Sequence, residues 1–269
     1  MKAIQVCGLQ KSYGQHNVLK NLNFTVEQGE IFALLGVNGA GKTTALECIE
    51  GLKAYDSGTV KLHGKIGIQP QSSSLPAHMK AMEAVKLFAK WNKSPVDDVL
   101  LDSLGILALK RPYAQLSTGQ KRRLHLALAL IGNPDILFLD EPTAGLDVEG
   151  RRSLHDQIRR LKTQGKTIVL ASHDMAEVEA LCDKIAILND GNIVFIGTPL
   201  ELTEQIGKRY AIHIKTDQGK EAFETDCIVD TLLALLSDLK QRGVEVLDIT
   251  VDRGSLEQHF MEIARGTDV

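Results

Sequence analysis

Apolar and polar residues alternate through AIQVCGLQKSYG and again through NLNFTVEQ, and Gly14 breaks the first run. Period-two alternation predicts half-buried strands, so the chain opens with two or three antiparallel strands. The pattern then becomes continuously apolar at IFALLG, as expected of a strand buried on both faces. After DSG, a turn signal, TVKLHGKIGIQ is predicted to form paired strands, followed by the Ser/Pro-rich loop SSSLPAHM. From Met79 to about Arg111 the period becomes helical. MEAVKLFAKW places Met82, Val85, Phe88 and Ala89 on one face, with Trp91 at its end as a packing residue. SPVDDVLLDSLGI is predicted to be a second helix with Ser94 as N-cap and Pro95 at the first position. KRRLHLALALIGN is a third helix, and RRSLHDQIRRLKTQG a fourth, stopped at Gly165. DILFLD and KTIVLAS are further buried strands. In the tail, RYAIHIKTD, TDCIVD and VEVLDITVD suggest strands. TLLALLSDLKQRG is a helix with Leu232, Leu233, Leu236 and Leu239 on one face, and SLEQHFMEIARG a last helix capped by Ser255.

The chemistry lies at the ends of the buried strands. Gly36–Thr44, GVNGAGKTT, fits G-x-x-x-x-G-K-[ST] and has a strand before it and a helix after it. Gly36, Gly39 and Gly41 permit a tight turn whose N–H groups, with the helix N-terminus, make an anion cradle around Asn38 and Ala40. Lys42 reaches the β- and γ-phosphates of a nucleotide; Thr43, followed by Thr44, offers a hydroxyl to Mg²⁺. DILFLD ends in Asp140 and Glu141. Adjacent acids there are costly unless a cation or a proton transfer uses them, so Asp140 is expected to support Mg²⁺ and Glu141 to polarise a water. His173 stands at the end of the next buried strand, where an imidazole can meet a γ-phosphate and the attacking water. Tyr13 can stack on a base or be an ordinary strand tyrosine. Gln71 and Gln69 compete as the glutamine that offers an amide oxygen to Mg²⁺ or water. Ser117 is a helix N-cap, and Gly119 lets a phosphate approach the backbone, giving a second anion-binding helix terminus. Two such termini in one chain suggest a dimer with each nucleotide held between two copies, and the TAGLD turn can carry Asp147 across that interface.

Composition narrows the alternatives. The 269 residues are 43% hydrophobic and 24% charged, ordinary for a globular chain. The net charge of −3 argues against a broad nucleic-acid surface, so no nucleic acid is expected as partner. Cys7, Cys48, Cys182 and Cys227 make no CxxC pair, which argues against a zinc site or a disulfide framework and suits a cytosolic protein. No apolar run approaches the ~20 residues of a membrane span.

The P-loop, LSTGQ, ILFLDEP, TAGLD and SHD, in this order, resemble the ATP-binding cassette (ABC) ATPase family over roughly residues 2–205. The resemblance implies an α/β P-loop NTPase fold: a mixed sheet core, an antiparallel β subdomain and an inserted helical subdomain at about 72–134. It implies ATP and Mg²⁺ as cofactors. Tyr13 then resembles the adenine-stacking aromatic and Gln71, rather than Gln69, the Q-loop glutamine. Asp140 and Glu141 resemble the Mg²⁺-supporting acid and catalytic base, His173 the switch histidine and Asp147 the D-loop acid. Ser117, Gly119 and Gln120 would face the partner's ATP. Thr118 departs from the glycine usual at its place, and the segment from Gly64 to Gln71 is short, as if a hairpin were trimmed. Residues 206–269 form an α+β extension resembling that of drug-resistance and ABC-2-type exporters. The implied protein is the ATP-hydrolysing subunit of a transporter, peripheral on the cytoplasmic face of the membrane. It would be paired with a second ATPase copy and with membrane-spanning permease subunits. The alternative is a non-transport ABC ATPase acting on a ribosome or DNA.

Overall fold

The computed structural model describes residues 1–72, 74–205 and 210–253. The chain divides into two compact units, Met1–Ile196 and the chain from Gly197 onward.

In the first unit, β1 (Lys2–Tyr13) and β2 (His16–Glu27) pair antiparallel, and β3 (Ile31–Leu35) follows, buried at every position. After α1 (Lys42–Ile49), β4 (Ser57–Leu62) returns to β1, giving an antiparallel sheet ordered β2-β1-β4. The next strand, β5 (Ile66–Gln69), does not pair with β4 as the sequence pattern suggested. It joins a different sheet, parallel to β6 (Ile136–Asp140). Residues 63–65 are a passage between two sheets, not a hairpin turn.

The helical segment comprises α2 (Ala81–Trp91), α3 (Asp98–Ser103), a single 3-10 turn at Tyr113–Gln115 and α4 (Thr118–Leu130). The cap of α3 is Asp97, whose carboxylate accepts the Leu100 N–H at 3.0 Å, so Ser94 and Pro95 precede the helix instead of opening it. Trp91 is also not a packing residue: it is 78% exposed and meets the Phe88 ring edge-on. The face that α2 buries is Ala81, Ala84, Val85 and Ala89.

Then come α5 (Val148–Thr163), β7 (Thr167–Ser172), α6 (Met175–Leu181), β8 (Lys184–Asn189) and β9 (Asn192–Gly197). The six-stranded sheet runs β5-β6-β7-β3-β8-β9, parallel from β5 to β8. Asp190 and Gly191 both have positive φ between β8 and β9, as a tight hairpin of the favoured hand requires. One cluster ties Ile4, Leu22 and Phe24 of the antiparallel sheet to Leu46 of α1 and to Phe32, Phe138 and Val169 of the parallel sheet. The Phe24 and Phe32 rings stack across it at 5.1 Å. Apolar burial is thus concentrated around α1, which carries the phosphate loop at its start.

The second unit holds α7 (Pro199–Gln205), β10 (Tyr210–Thr216), β11 (Gly219–Thr225), α8 (Ile228–Gln241) and β12 (Val246–Arg253). Its sheet is antiparallel, ordered β11-β10-β12. The second strand is GKEAFET; the TDCIVD stretch predicted as a strand instead leads into α8. The face α8 buries is Leu232, Leu235 and Leu239, against Ile212 and Ile214, and Leu233 points to solvent. The helix predicted at Ser255 lies outside the described residues.

Candidate functional site

Strand order creates the site. Strands β6, β7 and β3 are neighbours, so the turns that leave their C-terminal ends lie side by side. Those turns carry Asp140 and Glu141, then His173, then the phosphate loop. Ligands of parallel α/β sheets occupy this edge.

The loop from Gly36 to Gly41 is built around glycine where nothing else fits. A Cβ on Gly36 would stand 2.6 Å from the Leu188 carbonyl oxygen, and Gly41, the cap of α1, has φ +105°. Asn38 is exposed at the loop tip beside Gly39, while Ala40 is buried and donates its N–H to Val37. Lys42 is 6% exposed. Its ammonium donates to the Gly36 carbonyl at 2.8 Å and sits 3.8 Å from Glu141 Oε1. Burial lowers its pKa, and the charges of Glu141 and Asp140 work against that shift. Thr44 continues α1 one residue beyond Thr43.

Glu141 is buried and holds φ +49°, a left-handed conformation that non-glycine residues rarely adopt. Such strain persists where the surroundings fix it and clusters at functional sites. Its Oε2 meets His173 Nδ1 at 2.7 Å, and the histidine is otherwise half exposed. Asp140 is buried beside it. Burial raises its pKa, the Thr43 side chain bonds to it and lowers it, and Glu141 raises it further. Asp140 Oδ1 has no hydrogen-bond partner among the described residues.

The remaining candidates are placed elsewhere. Gln71 is exposed beyond the end of β5, and its carbonyl accepts from Arg122 at 3.2 Å. It lines a cavity of about 370 Å³ with Tyr113, Lys121 and His125. Gln69, the alternative, is the last residue of β5; it is buried, and neither of its amide atoms has a hydrogen-bond partner. In that cavity Tyr113 Oη and His125 Nε2 are 3.1 Å apart, and burial, then Arg122 and Lys121, push His125 down to about 4. Tyr13 is 46% exposed, with the Lys11 and Lys53 ammoniums 5.4 and 5.8 Å from its ring centre.

Ser117 caps α4, accepting the Gln120 N–H at 3.2 Å while the Gln120 side chain returns to the Ser117 N–H. Asp147 caps α5 through Gly150 at 2.7 Å. Both, with Thr118, Gly119, Gln120 and Gly145, line a cavity of about 560 Å³ that includes none of Gly36–Thr44. The structure therefore brings together Lys42, Thr43, Asp140, Glu141 and His173, and separately Ser117, Gly119, Gln120 and Asp147.

An ABC transporter family model matches residues 19–144. The Nod factor export ATP-binding protein I of Ralstonia nicotianae is 37% identical over 224 residues, 76% of this chain and 70% of that protein. An uncharacterized ABC transporter ATP-binding protein of Methanocaldococcus jannaschii is 36% identical over 266 residues, 96% of this chain and 98% of its own. The chain belongs to the ABC transporter ATP-binding family. The linearmycin resistance ATP-binding protein of Bacillus subtilis is 29% identical over 308 residues, covering 98% of this chain and 99% of that one. A solved ATP-binding subunit of an ABC transporter superposes with a TM-score of 0.67 at 26% identity, over 76% of this chain and 92% of that one. This ABC subunit is accordingly a P-loop NTPase that binds ATP and hydrolyses it to drive transport. Members of the family work with membrane permease components, typically as dimers. Among the described residues of the subunit no helix is long and apolar enough to cross a membrane.

Sequence reasoning did not single out the groups behind His173. Asp174 caps α6 through the Glu177 N–H at 3.1 Å and also binds Arg151 of α5 at 2.7 Å. The D-x-x-E spacing at Asp174 and Glu177 was a legible capping signal; the Arg151 contact was not.

One acid at the far end of α1 gives a pH prediction. Burial, then Asp140 and Glu47, raise the pKa of Glu50 to about 7. A raised carboxyl pKa makes the folded state bind more protons than the unfolded one. Its stability contribution is complete below about 4.5 and is lost as pH rises through about 7. Glu50→Gln should raise the urea midpoint at pH 8, with an advantage that shrinks as pH falls to 5, read by urea titration at both pH values.

Proposed function

We propose that this subunit hydrolyses ATP with Glu141 as general base and His173 as its partner at the γ-phosphate. We further propose that two copies close around two nucleotides to drive export through a separate permease. The observation that carries the reading is the 2.7 Å contact between His173 and a buried, left-handed Glu141 beside Lys42. A carboxylate there can take a proton from water, and the imidazole orients it. Lys42 would exchange the Gly36 carbonyl for phosphate oxygens. The N–H groups of the loop would cradle the phosphates, and Tyr13 would stack on adenine.

Thr43 and the unpartnered Asp140 oxygen fit Mg²⁺ and would hold it, with the Gln71 amide oxygen as a further donor. When bound, the cation would supply charge neutralisation to the phosphates.

The separate cavity at Ser117, Gly119, Gln120 and Asp147 supports the second copy. It offers a helix terminus to a phosphate, and it does not share the chain's own phosphate loop. Export rests on the relatives named for Nod factor export and linearmycin resistance. The subunit would then sit on the cytoplasmic face of the membrane, held there by its permease.

Exposed apolar groups on α2, Leu87 at 49% and Trp91 at 78%, suit a permease contact. Leu87→Asp with Trp91→Ala should cost about tenfold or more of the permease recovered with the tagged subunit, because buried aromatic anchors dominate interfaces. ATP hydrolysis by the isolated subunit should stay unchanged.

The test of the function is capture of tagged Glu141→Gln protein from detergent-solubilised membranes of its host, with ATP. Stoichiometric recovery of a multi-span membrane protein supports the transporter reading and identifies the permease. Recovery of ribosomes or soluble proteins alone overturns it.

A further inference from the structure

His173 stands on a short loop between Ser172, the last residue of β7, and Met175, the first of α6. The contacts of that loop therefore decide where the imidazole reaches. Ser172 is fully buried and uses its hydroxyl in both directions. It donates to Glu177 Oε2 at 2.6 Å and accepts the Asp174 N–H at 3.0 Å. Glu177 is 1% exposed. A carboxylate withdrawn from water that far is costly unless its position is used. Capping α6 does not require it, because the Asp174 carboxylate already accepts the free N–H there. The second Glu177 oxygen faces His155 Nε2 at 3.8 Å, beyond hydrogen-bond reach. Neither atom has a hydrogen-bond partner among the described residues.

Helix α5 holds the same loop through Arg151. Arg151 and His155 lie four residues apart on one helix face, and the first binds Asp174 while the second faces Glu177. The cap of that helix is Asp147, which lines the cavity with Ser117.

We propose that Glu177 is a positioning residue for ATP hydrolysis. Its carboxylate, acting through Ser172, fixes the backbone from which His173 reaches Glu141. Helix α5, through the Arg151–Asp174 pair, ties that loop to the Asp147 end of the cavity. Glu177 touches no nucleotide, and its effect falls on the chemical step, not on binding. The inference rests on the roles given above to Glu141 and His173.

The test is steady-state ATP hydrolysis by the full chain, with kcat and KM measured separately for Glu177→Leu, Glu177→Gln, Ser172→Ala and His173→Ala. A small displacement of a reacting group costs rate more than affinity, so Glu177→Leu and Ser172→Ala should lose about tenfold or more in kcat with KM held within about twofold. Glu177→Gln keeps an acceptor oxygen for the Ser172 hydroxyl and should recover most of the rate. The Ser172→Ala/Glu177→Leu double variant should fall no further than Ser172→Ala, because Glu177 acts only through the hydroxyl that Ser172→Ala already removes. If Glu177→Leu does not fold, Glu177→Ala, which removes the carboxylate and leaves the Ser172 hydroxyl to the Asp174 N–H, takes its place in every comparison. Wild-type kcat in Ser172→Ala and Glu177→Leu, alongside an inactive His173→Ala, overturns the inference and leaves the site reading intact. So does a KM that rises in proportion to the lost rate. Wild-type turnover by His173→Ala instead overturns the site reading itself.

Discussion

Glu141→Gln should lower kcat for ATP hydrolysis about a thousandfold, within the range a general base supplies, and leave ATP binding intact. The replacement keeps the size of the side chain and removes its charge and basicity. It asks nothing new of the backbone, since glutamine meets the same φ of +49° that glutamate already bears. The His173 Nδ1 contact at 2.7 Å can persist as a neutral hydrogen bond, so the turn keeps its shape while the proton acceptor is gone. Lys42 loses one of its two nearby carboxylates, which frees it further for phosphate. The variant should therefore gather as an ATP-bound dimer, seen as a shift in size-exclusion elution with ATP and none without it. Turnover near the wild-type rate would mean that the base lies elsewhere.

Lys42→Ala should abolish ATP binding by about a hundredfold or more, the scale of removing one partner from a buried charge pair. Among the described residues, the ammonium is the single cation placed against both Glu141 and the phosphate loop. Without it, Asp140 and Glu141 remain side by side in a buried site, and Asp140 is already held above its usual pKa by that burial. Nucleotide phosphates would enter a site of net negative charge. Thermal unfolding reads both consequences. Wild-type protein should gain melting temperature with ATP, as any ligand of the folded state requires. Lys42→Ala should show no gain and should start from a lower melting temperature at pH 8. An ATP-dependent shift equal to wild type would remove Lys42 from the phosphate site.

Much of the architecture is legible because it is local. The phosphate loop needs its glycines at fixed offsets within six residues, with Gly39 at φ +88° and Gly41 at φ +105°. Caps such as Ser117 with Gln120 are bonds across three residues. Errors of the sequence reading also have local causes. Ser94 and Asp97 are both capping types three residues apart, and Pro95 favoured the wrong one. TDCIVD has β-branched residues enough for a strand, but Cys227 and its neighbours open α8. On α8 a leucine-rich run has more leucines than one face can bury, so Leu233 was placed inward and lies outward.

By itself, the sequence determined the buried strands, the phosphate loop at the end of β3 and the acids at the end of β6. Apolar runs, turn glycines and the acids that follow a strand are patterns read within a few consecutive residues. Only the tertiary structure decided that β4 pairs with β1 while β5 leaves for the other sheet, and that Trp91 faces solvent. It alone decided the order β6-β7-β3, which sets Glu141 2.7 Å from His173 and 3.8 Å from Lys42 across 32 and 99 residues of chain. A parallel strand can insert anywhere its buried faces find cover. The choice among those places is made by packing of the whole core around α1, which no local pattern of residues encodes.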